Sequence, residues 1–160
     1  MTFIEKQTDP MAPTHWRGDM QADYLYPNGV AGDKFFKYIK NNDGFLATPC
    51  KKCNKVLFPP RLYCEDCFSE IPEEDWIQVP ASGTIRLFTI ARINAHGKRM
   101  KEPKVMALID IDQTDGALLG VINSKDLEKD HTGLRVRAIF RPMDQREGTL
   151  KDIINWEIIS

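Results

Sequence analysis

The sequence is poor in the residues that enzymes most often use for chemistry. It has three histidines and four cysteines in 160 residues, and every cysteine falls between positions 50 and 67. No thiol remains elsewhere to act as a nucleophile. His15, His96 and His131 sit beside no acid or nucleophile at a telling spacing, so each reads as a surface histidine. No apolar run approaches the length that crosses a bilayer. The opening residues, Met1-Thr-Phe-Ile-Glu-Lys-Gln7, lack the charged-then-apolar order of a secretory leader. Net charge is also missing: 22 basic residues face 23 acidic ones, giving −1. The chain as a whole therefore has no polyanion-binding signature, and any basic surface must be local. No internal repeat or low-complexity tract is present. What remains is ordinary globular material, 42% hydrophobic and 28% charged, enough for one domain or two small ones.

The four cysteines form two CxxC units, Cys50-Lys-Lys-Cys53 and Cys64-Glu-Asp-Cys67, with ten residues between them. A CxxC turn aims two sulfurs at one point, and two such turns complete a tetrahedral thiolate set that suits zinc ahead of iron. Between them, Asn54–Tyr63 offers apolar residues for two short strands around a Pro59-Pro60 break, the layout of a zinc ribbon. Two disulfides are the alternative use of four cysteines and belong to secreted chains. A thiol cluster of this kind without a leader predicts a cytoplasmic protein. Four thiolates close the coordination sphere and leave no position for water, so the expected role of the metal is structural. Lys51, Lys52, Lys55 and Arg61 stand ready to offset the negative charge of the cluster. The residues after each second cysteine are Asn54 and Phe68, where such turns often have glycine. Phe tolerates the left-handed conformation poorly.

Three parts are expected along the chain: an N-terminal arm at 1–31, a helix plus zinc ribbon at 32–79, and an OB-fold domain at 80–160. The arm holds Pro10, Pro13 and Pro27 with Trp16, Tyr24 and Tyr26, and no period persists in it. Residues 32–42 read as a helix with Asp33 as its N-cap and Phe35, Phe36 and Ile39 as its apolar stripe. Phe45–Thr48 and Trp76–Val79 read as short strands. After Gly83 the pattern is β. Five strands are expected at Thr84–Asn94, Val105–Asp112, Ala117–Asn123, Leu134–Phe140 and Asp152–Ile159. A polar loop, 95–103, separates the first two, and a short helix capped by Ser124 precedes the fourth. Ile85, Leu87, Thr89, Ala91 and Ile93 are expected on one face of the first strand. This order describes an OB-fold barrel, with a small open β-sandwich as the runner-up.

Basic residues gather locally. Lys98, Arg99, Lys101 and Lys104 surround the loop after the first strand, Arg86 and Arg92 lie on that strand, and Arg135, Arg137 and Arg141 alternate on the fourth. Asp110 and Asp112 share a face of the second strand and form a candidate acid pair. OB-folds bind single-stranded nucleic acid by stacking bases on rings above a basic groove. Phe88, Phe140 and Trp156 are the few candidates here, so nucleic-acid binding ranks second.

A four-cysteine ribbon followed by an OB-like barrel resembles the zinc-ribbon/OB-fold acyl-CoA-associated proteins. The resemblance runs over roughly residues 32–142. It is carried by Asp33–Ile39, by Cys50-Lys-Lys-Cys53-Asn-Lys-Val-Leu-Phe-Pro-Pro-Arg61, by Cys64-Glu-Asp-Cys67, and by Ser82–Ile85, Pro103–Asp110, Leu118–Val121 and Gly133–Val136. The resemblance implies a non-catalytic accessory subunit in a hetero-oligomer, with a thiolase-like partner chain carrying the catalytic residues. It implies an acyl-CoA ligand, and a place in pathways that include aromatic-compound breakdown (toluene and benzylsuccinate degradation). If CoA is bound, its phosphates need cations. The expected contacts are Lys98, Arg99 and Lys101 on the loop, with Arg135 and Arg137 as alternates. The expected metal ligands are Cys50, Cys53, Cys64 and Cys67.

Overall fold

Phe35 and Ile39 stand one helical turn apart, and burying them fixes where the first element lies. Helix α1 spans Gly29–Asn41 in the computed structural model, which describes residues 26–94, 96–124, 126–127 and 129–159. The expected arm lies outside the described residues as far as position 25. The helix begins three residues before the expected start, after Asn28. Asp33 is therefore inside it rather than capping it, and forms an i,i+4 ion pair with Lys37 at 2.7 Å.

Three antiparallel strands follow: β1 (Gly44–Pro49), β2 (Val56–Leu57) and β3 (Ile77–Pro80), in the order β2-β1-β3. Five more close a barrel in the order β4-β5-β6-β8-β7. They are β4 (Ser82–Ile93), β5 (Arg99–Ile111), β6 (Ala117–Ile122), β7 (Arg135–Phe140) and β8 (Ile153–Ile159). The fold is thus mainly β, with one α-helix among the described residues, a four-cysteine ribbon and a five-stranded OB-type barrel, as the sequence leads one to expect. Closure is uneven. β6 and β8 run parallel and pair only at Ile122 and Trp156. The Trp156 indole lies so close to β6 that a Cβ on Gly120 would come within 2.3 Å of its Nε1.

One apolar core joins helix, ribbon root and barrel. Phe45 on β1 lies 5.3 Å from Phe58, 6.0 Å from Phe140 and 6.2 Å from Trp156, ring centre to ring centre. Ile39, Ile85, Ile109 and Val136 complete its centre. Two polar devices lock the same junction. Val56 donates its N–H to Asp115 Oδ2 at 2.7 Å, while Asp115 N–H donates to Val56 O at 2.8 Å. Gly116 makes this approach possible, because a Cβ there would meet the Phe58 carbonyl oxygen at 2.2 Å. Arg146 is buried and spans the other side. It donates to Arg141 O at 2.7 Å, Ile39 O at 3.2 Å and Asn42 O at 2.9 Å, and pairs with Asp43. A cation on the orphan carbonyls at a helix C-terminus is favourable. Arg146 therefore ties the end of α1 to the chain after β7.

The barrel departs from expectation in three places. The register of β4 against β5 shifts at Arg86. One extra residue reverses which face the side chains from Leu87 to Ala91 take, and a second irregularity follows between Ala91 and Ile93. Ile85 is buried, whereas Leu87 and Ile93 are 52% and 62% exposed, and Phe88 turns inward in their place. The single apolar face expected for this strand is split between inside and outside. Second, the expected loop 95–103 is short, because β5 already begins at Arg99 and pairs with Ile93. Third, none of the described residues within 124–130 is helical. Ser124 instead donates its hydroxyl to Asp126 O at 3.1 Å.

Candidate functional site

The ribbon tip is built from two turns with the same hydrogen bonds. In the first, Asn54 N–H reaches Cys50 O at 2.8 Å and Cys50 N–H reaches Lys55 O at 2.7 Å. In the second, Phe68 N–H reaches Cys64 O at 3.0 Å and Cys64 N–H reaches Ser69 O at 2.9 Å. Both turns need a left-handed residue after the second cysteine, and Asn54 (φ 58°) and Phe68 (φ 56°) supply it. Asn does so with modest strain. Phe68 does so with its ring 80% exposed, so no burial offsets the conformational cost.

The turns bring Cys50, Cys53, Cys64 and Cys67 together, with all four sulfurs within 4.8 Å of one another. Cys50 Sγ and Cys67 Sγ are 3.5 Å apart, and Cys64 Sγ and Cys53 Sγ 3.9 Å. A tetrahedron with zinc–sulfur bonds near 2.3 Å has sulfur–sulfur edges of about 3.8 Å, so the cage fits that ion. Cys50 and Cys64 are buried, and Cys53 and Cys67 half-buried. The Ser69 hydroxyl 3.1 Å from Cys67 Sγ, with the neighbouring Cys53, lowers the Cys67 thiol to about 6. Hydrogen bonding with Cys67 pushes the Cys53 thiol up to about 12. Around the cage, Leu57 and Ile71 form a small second core with the cysteines, and Trp76 packs against it. Three of the cations expected to offset the thiolate charge have carboxylate partners of their own. Lys51 meets Asp75 at 2.6 Å, Lys55 meets Asp66 at 2.5 Å, and Arg61 pairs with Glu65.

The residues expected to meet CoA fall into two places. Lys98 is in the β4–β5 turn, and Arg99 and Lys101 begin β5. All three are exposed, and none is in an ion pair among the described residues. Arg135 and Arg137 lie at the other end of β4, opposite Thr84 and Ser82, whereas Arg99 is opposite Ile93. Nine residues of strand separate the two groups, roughly 30 Å at the usual rise. Arg135 is also engaged: its two terminal nitrogens reach the Asp112 oxygens at 2.5 and 2.6 Å. That guanidinium, with Ser82, holds the Asp112 carboxyl below its ordinary range. Asp110 pairs with Arg86 in turn. The two aspartates are thus separate halves of ion pairs rather than an acid pair. Arg137 lines an open depression of about 760 Å³ together with Phe140, Arg141 and Met143. Its seat between the end of α1 and the start of the barrel was not legible from sequence, although the alternation of Arg137 and Arg141 was.

His131 corrects another expectation, because it is buried. Its Nε2 lies 3.0 Å from Asp126 O and its ring stands edge-on to Phe88 at 5.0 Å. His96 is exposed in the β4–β5 turn, and His15 lies outside the described residues. Asp152 is a buried carboxylate that sequence reasoning missed. Burial alone would raise it, but N–H donors from Glu147, Thr149 and Gly148 hold it below its ordinary range. The signal was present in the Gly148-Thr149 turn just ahead of it.

Residues 44–73 match the family described as ChsH2, rubredoxin-like zinc ribbon domain. That stretch contains both cysteine turns. The fold as a whole is similar to a solved protein of unknown function from the DUF35 family of Sulfolobus solfataricus. The TM-score is 0.59 at 22% identity, over 81% of this chain and 84% of that one. It is also similar to a chain of the Ltp2-ChsH2(DUF35) aldolase, with a TM-score of 0.54 at 18% identity, over 81% of this chain and 92% of that one. The ribbon and the ribbon-plus-barrel architecture are thereby shared with known proteins, in line with the resemblance drawn from the sequence. No helix among the described residues is long and apolar enough to cross a membrane.

Proposed function

We infer that this protein is a non-catalytic, zinc-stabilised accessory subunit of a thiolase-type acyl-CoA enzyme. The observation that carries this reading is the ChsH2-type ribbon at 44–73, set in a fold similar to a chain of the Ltp2-ChsH2(DUF35) aldolase. The metal would be held by Cys50, Cys53, Cys64 and Cys67. It would supply folding energy and a fixed ribbon tip rather than an open coordination site. All four thiols of the chain belong to that cage, so the nucleophile for thioester chemistry comes from the partner. The sequence resemblance extends the proposal to aromatic-compound breakdown, benzylsuccinate included.

The CoA thioester is proposed to meet this subunit at Lys98, Arg99 and Lys101, whose charges have no acidic partner among the described residues. Arg137 is the alternate, since Arg135 is held by Asp112. Nucleic acid is the weaker reading, because Trp156 is buried and Phe88 and Phe140 pack against the core rather than forming a platform.

The test is purification of the tagged full-length chain from its native host, with stoichiometric partners identified by mass. A thiolase-type chain is expected, and thioester cleavage or formation only by the pair. Thiolysis by this chain alone, or the absence of any acyl-CoA enzyme, would overturn the reading. Within the complex, replacing Lys98, Arg99 and Lys101 with alanine should raise KM for CoA thioesters several-fold and leave kcat unchanged, as loss of uniform binding does.

A further inference from the structure

The shift at Arg86 brings Leu87 to the outside of the barrel, beside residues of β5 and β6 that face outward by alternation. Beyond it, Leu87, Leu108 and Leu119 form one row across β4, β5 and β6, and Thr89, Met106 and Val121 form the next. These are outward positions, since Phe88, Ala107 and Gly120 between them face the core. The outer surface of a small barrel is normally polar, yet Leu87 is 52% and Leu119 66% exposed. The face continues into a groove where β6 and β8 splay apart from their single pair. That groove has a volume of about 180 Å³, and Leu150 and Ile154, both exposed, stand on its far side. Isolated exposed leucines need no explanation, but a mainly apolar face, broken only by Thr89 in these two rows, with a socket at its margin marks an interaction surface.

Charge decides what covers it. The face is bordered at the β4–β5 turn by Arg92, Lys98, Arg99, Lys101 and Lys104, none of which is in an ion pair among the described residues. A second copy of this chain would not answer that charge. The acids on these three strands are Glu102, placed among those same cations, and Asp110, already paired with Arg86. We propose that the outer face of β4–β5–β6 is the docking surface for the catalytic chain. That chain would place an apolar side chain in the β6/β8 groove and negative charge, including the phosphates of its bound CoA thioester, opposite the β4–β5 turn. The proposal rests on the accessory-subunit reading and adds the location of the contact. Apolar packing at the face would set the lifetime of the complex. The cations at its edge would set the rate of encounter and its salt dependence.

The experiment uses the catalytic chain identified by stoichiometric co-purification, then purified and titrated with full-length variants of this protein. Leu119→Glu and Leu87→Glu change outward positions, so zinc content and circular dichroism should stay as in the wild type. Each should weaken binding by about 30-fold or more, mainly through faster dissociation, as expected for a central contact. Leu119→Met should bind as the wild type does. If both glutamate variants fold and bind like the wild type, the face is not the docking surface, while the accessory reading stands. If the wild type retains no acyl-CoA enzyme, both fall together. If sedimentation instead shows a wild-type dimer that Leu119→Glu dissolves, the occupant is a second copy and the proposal is overturned.

Discussion

The ribbon tip and the barrel solve the problem of a small fold in opposite ways. The barrel and the root of the ribbon share one core in which Trp156, Phe45, Ile85 and Ile109 are essentially inaccessible to water. The cluster at the tip buries Leu57 and Ile71 beside its cysteines. Two such side chains cannot offset the entropy of ordering about twenty residues, at roughly 1–2 kcal/mol each. The tip must therefore be held by its metal, whereas the barrel can be held by burial. The change from one regime to the other falls inside the ribbon, between Phe58, which belongs to the large core, and Leu57, which belongs to the small one.

The largest effect should come from removing the metal. Cys50→Ser or Cys64→Ser should release about one zinc per chain and unfold the tip, because apparent zinc-binding energies in such sites are on the order of 10 kcal/mol. Hydrogen exchange should show protection lost between residues 50 and 72 and kept on β4–β8. Collapse of the barrel with the tip would erase the distinction between the two regions. Next is Trp156→Ala, which empties the centre of the barrel. It should cost about 3–5 kcal/mol in denaturant unfolding and leave the zinc content unchanged.

Acid should act on the barrel through Asp112 and Asp152. Both are held below the ordinary carboxylate range in the fold, Asp112 by Arg135 and Asp152 by three backbone N–H donors. Their contribution is present above the unfolded value near 4 and is lost as pH falls through their lower folded values. NMR of β7 and β8 amides between pH 6 and pH 2 should show that loss, and Asp152→Asn should flatten it. The smallest effect belongs to the second cysteine turn. Phe68→Gly relieves a left-handed residue whose ring is exposed and should stabilise the zinc-loaded tip by about 1 kcal/mol, read as slower zinc transfer to a chelator. Asn54→Gly should do less.

Much of this was legible because the signals are local. Two CxxC spacings placed the metal cage, and alternation placed β7 and β8 within a residue or two. What escaped depends on partners distant in sequence. Nothing between Thr84 and Asn94 announces the extra residue at Arg86, since its phase is set only by pairing with β5. Arg99–Pro103 looked like loop because it is polar and contains a proline. A strand outside the barrel wall has no buried side to impose alternation. Arg146 was not singled out, since its four acceptor groups come from Arg141, Ile39, Asn42 and Asp43. His131 was misplaced for the same reason, as the Phe88 ring that covers it turns inward only after the shift at Arg86.

The single pair between β6 and β8 gives the barrel a seam. Elsewhere its wall is laced by ladders of three or more pairs, but here one pair at Ile122 and Trp156 is backed by an indole laid over Gly120. Such a wall should breathe at that line before it opens anywhere else. Leu118–Val121 amides on the seam side should exchange with solvent by local fluctuation, while those of β5 and β7 wait for global unfolding. A side chain seated in the groove would act as a wedge that stops the breathing. Assembly would then register as slowed exchange along β6, even where no backbone atom moves.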